Sequence, residues 1–231
     1  MVTGSTHGSE TDRPIAPLLD TARAACDRAT FDGDGSGLDD AARDMDAVAA
    51  AVSLARGRLL HARHLLDSAA SVDPTELDLF EEAVQLFARV GDSHGEAEAL
   101  FWVGCFHQVV RGDHAAAERA LLKSASLARE HGDHLTLSYA LRHQGIAAHM
   151  SGDLERADRL LRESTALRRA DGFAAGVAAN LVGLAYISSA QGHADRAKDL
   201  LGEAAEIADG AAAHAIRAQV DQARKDMGVE A

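Results

Sequence analysis

Three stretches of sequence decide the fold, because they repeat one pattern at a spacing of 40 residues. They read GDHAAAERALLKSASL at 112–127, GDLERADRLLRESTAL at 152–167 and GHADRAKDLLGEAAEI at 192–207. Small and large residues hold fixed columns in all three, namely Ala117, Ala157 and Ala197, then Leu121, Leu161 and Leu201. A column of small residues lets two helix backbones approach, and a column of large ones fills the space beside the contact. The pattern therefore predicts packed helices.

A second glycine break divides each 40-residue period into two helical stretches. Gly132 and Gly172 mark this break, and the first glycine of each period is followed by Asp or His, which caps the next helix. Each unit is therefore predicted to be a helical hairpin. One hairpin cannot bury its apolar face alone, so neighbouring hairpins must stack.

The repeats resemble tetratricopeptide repeats (TPR). Upstream of the glycines, a bulky residue precedes a small one by four positions, as in Phe101 and Cys105 or in Leu141 and Gly145. The period exceeds the standard length of about 34 residues, so the chain is similar to the long-period variety found in bacterial transcription regulators and kinesin light chains. The resemblance implies an all-α fold, a right-handed superhelical α-solenoid of stacked antiparallel helix hairpins.

The expected organisation follows from these repeats and from a fainter copy upstream. It comprises a disordered arm at 1–14, a helical cap at 15–57, repeats at 58–97, 98–137, 138–177 and 178–210, and a C-terminal solvating helix with a tail at 211–231. Asp73 and Pro74 predict a helix that starts near Pro74 and ends about Val90.

Composition and charge narrow the function classes. Lys and Arg total 23 against 36 Asp and Glu, a formal charge of −13, which disfavours nucleic acid as a partner. The polar N-terminus lacks a secretory signal pattern, no apolar stretch has the length of a membrane span, and two cysteines supply no disulfide framework. We expect a cytoplasmic protein that does not enter membranes.

The TPR resemblance also implies a binding surface, because the first helix of each hairpin lines the concave side in that family. Residues at i, i+3, i+7 and i+10 share one helical face. The predicted groove consists of Arg58, His61, Trp102, Phe106, Tyr139, Arg142, His149 and Tyr186. Aromatic and Arg side chains are common anchors of recognition. The alternative is that several of these rings pack between repeats as core.

The leading functional interpretation is a protein- or peptide-binding TPR scaffold or adaptor with a regulatory role, no cofactor and no reaction of its own. Arg58 and Arg142 would favour an acidic segment or a C-terminal carboxylate. The alternative is a small-molecule or metal-binding protein, or an atypical enzyme, that uses the same cluster as a closed pocket. Homo-oligomerisation stays open, since exposed solenoid ends can pair.

Two weaker patterns suggest metal binding. His61, His64 and Asp67 have a spacing that places three ligands on roughly one helical face, but the rest of a zinc motif is missing. Residues 32–43, DGDGSGLDDAAR, resemble a calcium loop but end in Arg43 where a bidentate Glu belongs. A linker with Ser36 and Asp39 in a capping box explains the second pattern more simply.

Overall fold

The computed structural model describes residues 14–67 and 72–228, and all regular secondary structure in these ranges is helical. The chain divides into two compact units, Met1–Arg111 (unit 1) and Gly112–Ala231 (unit 2). The all-α fold of packed antiparallel helix hairpins is confirmed. Its right-handed superhelical course stays a prediction.

The described residues of unit 1 form four α-helices, two of which continue into a π-helical turn. The helices are α1 (Ile15–Asp27, continued by Arg28–Asp32), α2 (Leu38–Leu66), α3 (Glu76–Val90) and α4 (Ser93–Cys105, continued by Phe106–Arg111). Helix α2 packs against α1 and α3, and α3 packs against α4. The start of α3 lies two residues after the predicted Pro74, since Asp73 accepts the Thr75 N–H and so delays the first turn.

Unit 2 contains six helices within residues 112–228. These are α5 (His114–Glu130), α6 (His134–Met150), α7 (Leu154–Ala170), α8 (Ala174–Ala190), α9 (Ala194–Gly210) and α10 (His214–Met227). Consecutive helices pack together, most extensively in the hairpins α6/α7 and α8/α9, and α10 also contacts α8.

The helix boundaries come from the glycine and aspartate columns. The Asp113, Asp133 and Asp153 carboxylates each accept the backbone N–H three residues later, which satisfies an orphan donor of the first turn. At the turn before α10, Ala212 occupies the left-handed backbone region at φ 51°, where the equivalent residues of earlier turns are Gly132 and Gly172.

The small and large columns meet inside the hairpins as predicted. A Cβ added to Gly145 would lie 2.1 Å from Cδ1 of Leu161, so the absence of a side chain there lets α6 approach α7. Leu121, Leu161 and Leu201 are each at most 1% exposed.

Ion pairs between alternate helices follow the same period at the surface. Arg129 pairs with Glu163, and Arg169 pairs with Glu203 one period later. Arg156 and Glu118 form another such pair, repeated by Arg196 and Asp158. All of these side chains keep contact with solvent, so each ion pair contributes little to the stability of the fold.

Some of the predicted boundaries in the N-terminal part of the chain differ from the helix ends. The predicted limit between cap and first repeat at residue 57 falls inside the continuous helix α2. The predicted capping box is wrong, because Ser36 donates through both N and Oγ to Asp34, and Gly37 precedes α2 without a side-chain cap. The N-terminal arm, except Pro14, and the last residues of the C-terminal tail lie outside the described residues.

Candidate functional site in unit 2

A cavity of about 310 Å³ opens between α6, α8 and α10. Its volume is in the range of small ligand sites. Three predicted groove residues line it, namely Arg142 and His149 from α6 and Tyr186 from α8. Its other walls are apolar side chains and two glutamines of α10, which are Ile146, Leu161, Val182, Ile187, Gln219 and Gln222. Side chains of α6 and α8, which are the first helices of the hairpins α6/α7 and α8/α9, thus line the same cavity.

Arg142 is the cation of this cavity. Its Nη1 donates to the Ala179 carbonyl at 2.8 Å and to Asn180 Oδ1 at 3.0 Å, which fixes the guanidinium against α8. Burial lowers the pKa of Arg142. Gly183 leaves room for the neighbouring Leu161 side chain, since a Cβ there would lie 2.5 Å from Leu161 Cδ2.

A second arginine lies behind Arg142, and the sequence analysis missed it. Arg168 is 2% exposed and donates through Nη1 to the Gly176 carbonyl at 2.9 Å and to Asn180 Oδ1 at 3.1 Å. Its Nη2 is buried without a hydrogen-bond partner. Burial, and then the charge of Arg142, lower the pKa of Arg168 to about 10, a value at which it is still charged at neutral pH.

No carboxylate forms an ion pair with either arginine in the part of the chain that the structure describes. Asn180 Oδ1 accepts from both guanidinium groups, while its Nδ2 donates to Ser164 Oγ at 2.8 Å. An amide oxygen does not neutralise charge. The two arginines therefore leave positive charge in a desolvated region beside the cavity, where a bound anion would be favoured.

Two residues that line the cavity, Tyr186 and Gln222, are hydrogen-bonded to an acidic residue of α10. Tyr186 Oη donates to Asp226 Oδ2 at 2.7 Å, and Gln222 Nε2 donates to Asp226 Oδ1 at 2.7 Å. Burial and this hydrogen bond raise the pKa of Tyr186 to about 12, while the two donors lower the pKa of Asp226. The phenol is therefore neutral at physiological pH.

The other predicted groove residue of unit 2 serves as packing. The Tyr139 ring covers the Arg168 guanidinium at 4.8 Å and lies 6.0 Å from the ring of Phe173. Tyr139 thus shields one side of the buried arginine. It does not line the cavity.

The predicted groove residues of unit 1 have a different role. His61 and Phe106 are each 3% exposed, so for these two the prediction of an accessible groove position is wrong and packing between helices decides their place. His61 Nδ1 lies 2.8 Å from Glu76 Oε1. Trp102 stacks on Phe80 at 5.8 Å, and Arg58 lies over the indole while it donates to Glu98 at 2.8 Å. Arg58 therefore already has a carboxylate partner.

Neither of the two predicted metal sites has a set of grouped ligand side chains in the described residues. Among the described residues, no three His, Cys, Asp or Glu side chains are grouped as metal ligands. In the candidate trio, His61 is engaged by Glu76, while His64 Nδ1 is buried without a partner. In the calcium-like loop, Asp34 accepts from Ser36, and that hydrogen bonding lowers its pKa.

Among the comparisons with known proteins, the one with solved structures agrees with this architecture. No model of a known protein family matches the chain, and no curated protein matches it. A solved structure does match, the crystal structure of BtubC (BKLC) from P. vanneervenii, a bacterial kinesin light chain-like TPR protein.

The chain has a TPR-like helical repeat fold. The similarity to BtubC has a TM-score of 0.51 at 15% sequence identity and covers 88% of this chain and 92% of that one. At this identity it shows the fold alone. No described helix of this TPR-like chain is both long and apolar enough to span a membrane.

The repeat alignment itself holds the signal that would have found the missed residues. Arg168 stands in a column with Ala128 and Ala208, and Asn180 stands in a column with Ala140 and Val220. A charged or amide side chain in a column that is apolar in the other repeats indicates a candidate polar site rather than ordinary core packing.

Proposed function

We propose that this protein is a non-enzymatic TPR-type binding protein, an adaptor or regulator, whose unit 2 captures a carboxylate-bearing segment of a partner protein. One observation carries the proposal. Arg142 lines a mostly apolar cavity and, together with Arg168, has no ion-pair partner among the described residues. A guanidinium binds a carboxylate through paired N–H donors, and desolvation strengthens that pairing.

The walls of the cavity also determine which kind of group fits next to the bound carboxylate. Its apolar wall of Ile146, Val182 and Ile187 would accept an aliphatic side chain next to the anionic group. The geometry suits an acidic side chain or a chain terminus flanked by an apolar residue. Because helices of packed hairpins present this surface, little ordering is needed on binding.

The test uses a pool of random 12-residue peptides with free C-terminal carboxylates, selected on the immobilised full-length protein. Enriched peptides are then measured by fluorescence anisotropy, with each carboxylate or its amide counterpart. We expect the amide form that removes the key charge to bind at least about tenfold more weakly, the scale of one charged hydrogen bond. Arg142→Gln should cause a similar loss, and Arg142→Lys an intermediate one because Lys cannot bind bidentately.

The matched control is Arg159→Gln, since Arg159 is exposed on α7. It should bind like the parent protein. Equal affinity of the parent and Arg142→Gln would refute the proposal, as would failure to enrich any peptide. If peptides fail but small dicarboxylic acids raise the Tm of the parent and not of Arg142→Gln, the same cavity is a small-molecule site.

A further inference from the structure

The second half of α2, Val52–Leu66, differs in charge from the rest of the chain. It contains three Arg and two His but no Asp or Glu, in a protein with a formal charge of −13. It belongs to unit 1, and none of its residues is among those that line the cavity of unit 2.

One face of this segment exposes large apolar side chains. Val52, Leu59 and Leu66 are 45%, 61% and 89% exposed. A spacing of seven residues places them on one side of a helix, about 20° apart at 100° per residue. Ala55 and Ala62, which are also exposed, fill the strip between them. The opposite face, with Leu54, Gly57 and His61, is buried in the unit.

Arginines border this apolar strip on both sides. At 100° per residue, Arg56 and Arg63 follow one edge and Arg58 lies at the other. Arg56 and Arg63 are exposed and form no ion pair with the described residues. Arg58 is half covered by its pair with Glu98. The face is therefore an apolar strip with a basic edge at Arg56 and Arg63, while the arginine at the other edge is already paired with Glu98.

We propose that the strip Val52–Leu66 docks an acidic amphipathic helix of a partner protein. A narrow apolar strip at heptad spacing matches the apolar seam of another helix, and the basic edge at Arg56 and Arg63 matches Glu or Asp at the flanking positions of that helix. A second copy of the strip would place arginines against arginines. The face also lacks the Trp or Phe side chains and the dense basic charge with which helices hold anionic membranes.

The experiment uses three probes with the full-length protein. The first is an 18-residue helical peptide with Leu at the seam positions and Glu at the flanking ones, labelled with fluorescein. The second is its twin with Lys in place of every Glu. The third is a set of vesicles of phosphatidylcholine with phosphatidylserine. Anisotropy reports peptide binding, co-sedimentation reports vesicle binding, and sedimentation velocity reports self-association.

The variants are Arg56→Glu/Arg63→Glu and Leu59→Ser, all at exposed positions. The matched control is Arg119→Glu/Arg159→Glu, which changes the net charge equally at exposed positions of unit 2. We expect the Glu peptide to bind the parent and the control, and to bind each variant at least about tenfold more weakly. Far-UV circular dichroism should show unchanged helicity in all of them.

Four results would overturn the proposal. These are no binding of the Glu peptide to the parent, equal binding of the Lys twin, vesicle binding that the variants abolish, and self-association that the variants abolish. The last two would assign the face to a membrane or to a second copy. Because Arg142→Gln leaves this face intact, failure here is distinguishable from failure of the cavity proposal.

Discussion

Each unit buries a polar cluster under aromatic rings, and the two clusters treat charge differently. In unit 1, His61 is hydrogen-bonded to Glu76 beside the ring of Trp102. In unit 2, Arg168 lies under the ring of Tyr139 and shares the Asn180 amide oxygen with Arg142. The first cluster contains its own carboxylate, while no carboxylate pairs with the arginines of the second within the described residues.

This difference separates a cluster that supports the fold from one that is suited to binding. A buried pair with its own partner is costly to break but offers nothing to a ligand. Buried positive charge that has no carboxylate partner lowers the free energy of unfolding as long as no anion is bound in the neighbouring cavity. Predictions on both units test the comparison.

The largest expected effect is on unit 1. Glu76→Ala should lower the free energy of unfolding by about 3 kcal/mol, because His61 loses its partner in the interior. Urea unfolding followed by circular dichroism measures it. Glu81→Ala, at an exposed position of the same helix, should change the value by less than about 0.5 kcal/mol. Similar values for both variants would mean that the pair does not support the fold.

The next effect concerns the close approach of helices, which glycine permits in both units. In unit 1 Gly57 faces the ring of Phe80, and in unit 2 Gly145 faces Leu161. Gly145→Ala should lower the free energy of unfolding by about 2 kcal/mol, because the new methyl group overlaps Leu161. Gly202→Ala, where the added Cβ meets nothing within 4 Å, should raise it by about 0.5–1 kcal/mol. Destabilisation by both changes would contradict the contact.

A smaller effect distinguishes the turns of the two units. The turn after α3 uses Gly91 at φ 79°, whereas the turn before α10 uses Ala212 at φ 51°. Ala212→Gly should raise the free energy of unfolding by about 1 kcal/mol, because a residue with a Cβ is strained in the left-handed backbone region. A higher Tm in calorimetry would show it. Ala211→Gly, at an ordinary φ of −94°, should not raise the Tm.

The smallest effects belong to the surface ion pairs. Arg89→Gln in unit 1 removes the pair with Asp46, and Arg129→Gln in unit 2 removes the pair with Glu163. Each change should lower the free energy of unfolding by less than about 0.5 kcal/mol. This difference should vanish in high salt, because exposed ion pairs are screened. A loss above 1 kcal/mol in either unit would show that the surface periodicity also contributes to stability.

The sequence predicted three of the residues that line the candidate site and missed Arg168 and Asn180 behind it. Arg142, His149 and Tyr186 follow from helical spacing on the leading helices, and they line one cavity. His61 and Phe106 obey the same spacing but are buried. Spacing alone does not tell which part of a helix face the next element covers, because that depends on the angle at which helices cross.

What the sequence determined by itself is the repeat, since glycine breaks, aspartate caps and alternating small and large columns act locally or between adjacent helices. Its local rules place the helix ends and the Gly145–Leu161 contact. The tertiary structure alone decided how charge is compensated. Whether Arg168 meets a carboxylate or an amide, and whether Val52, Leu59 and Leu66 are covered, depends on residues far apart in the chain, and burial then fixes the energetic consequence.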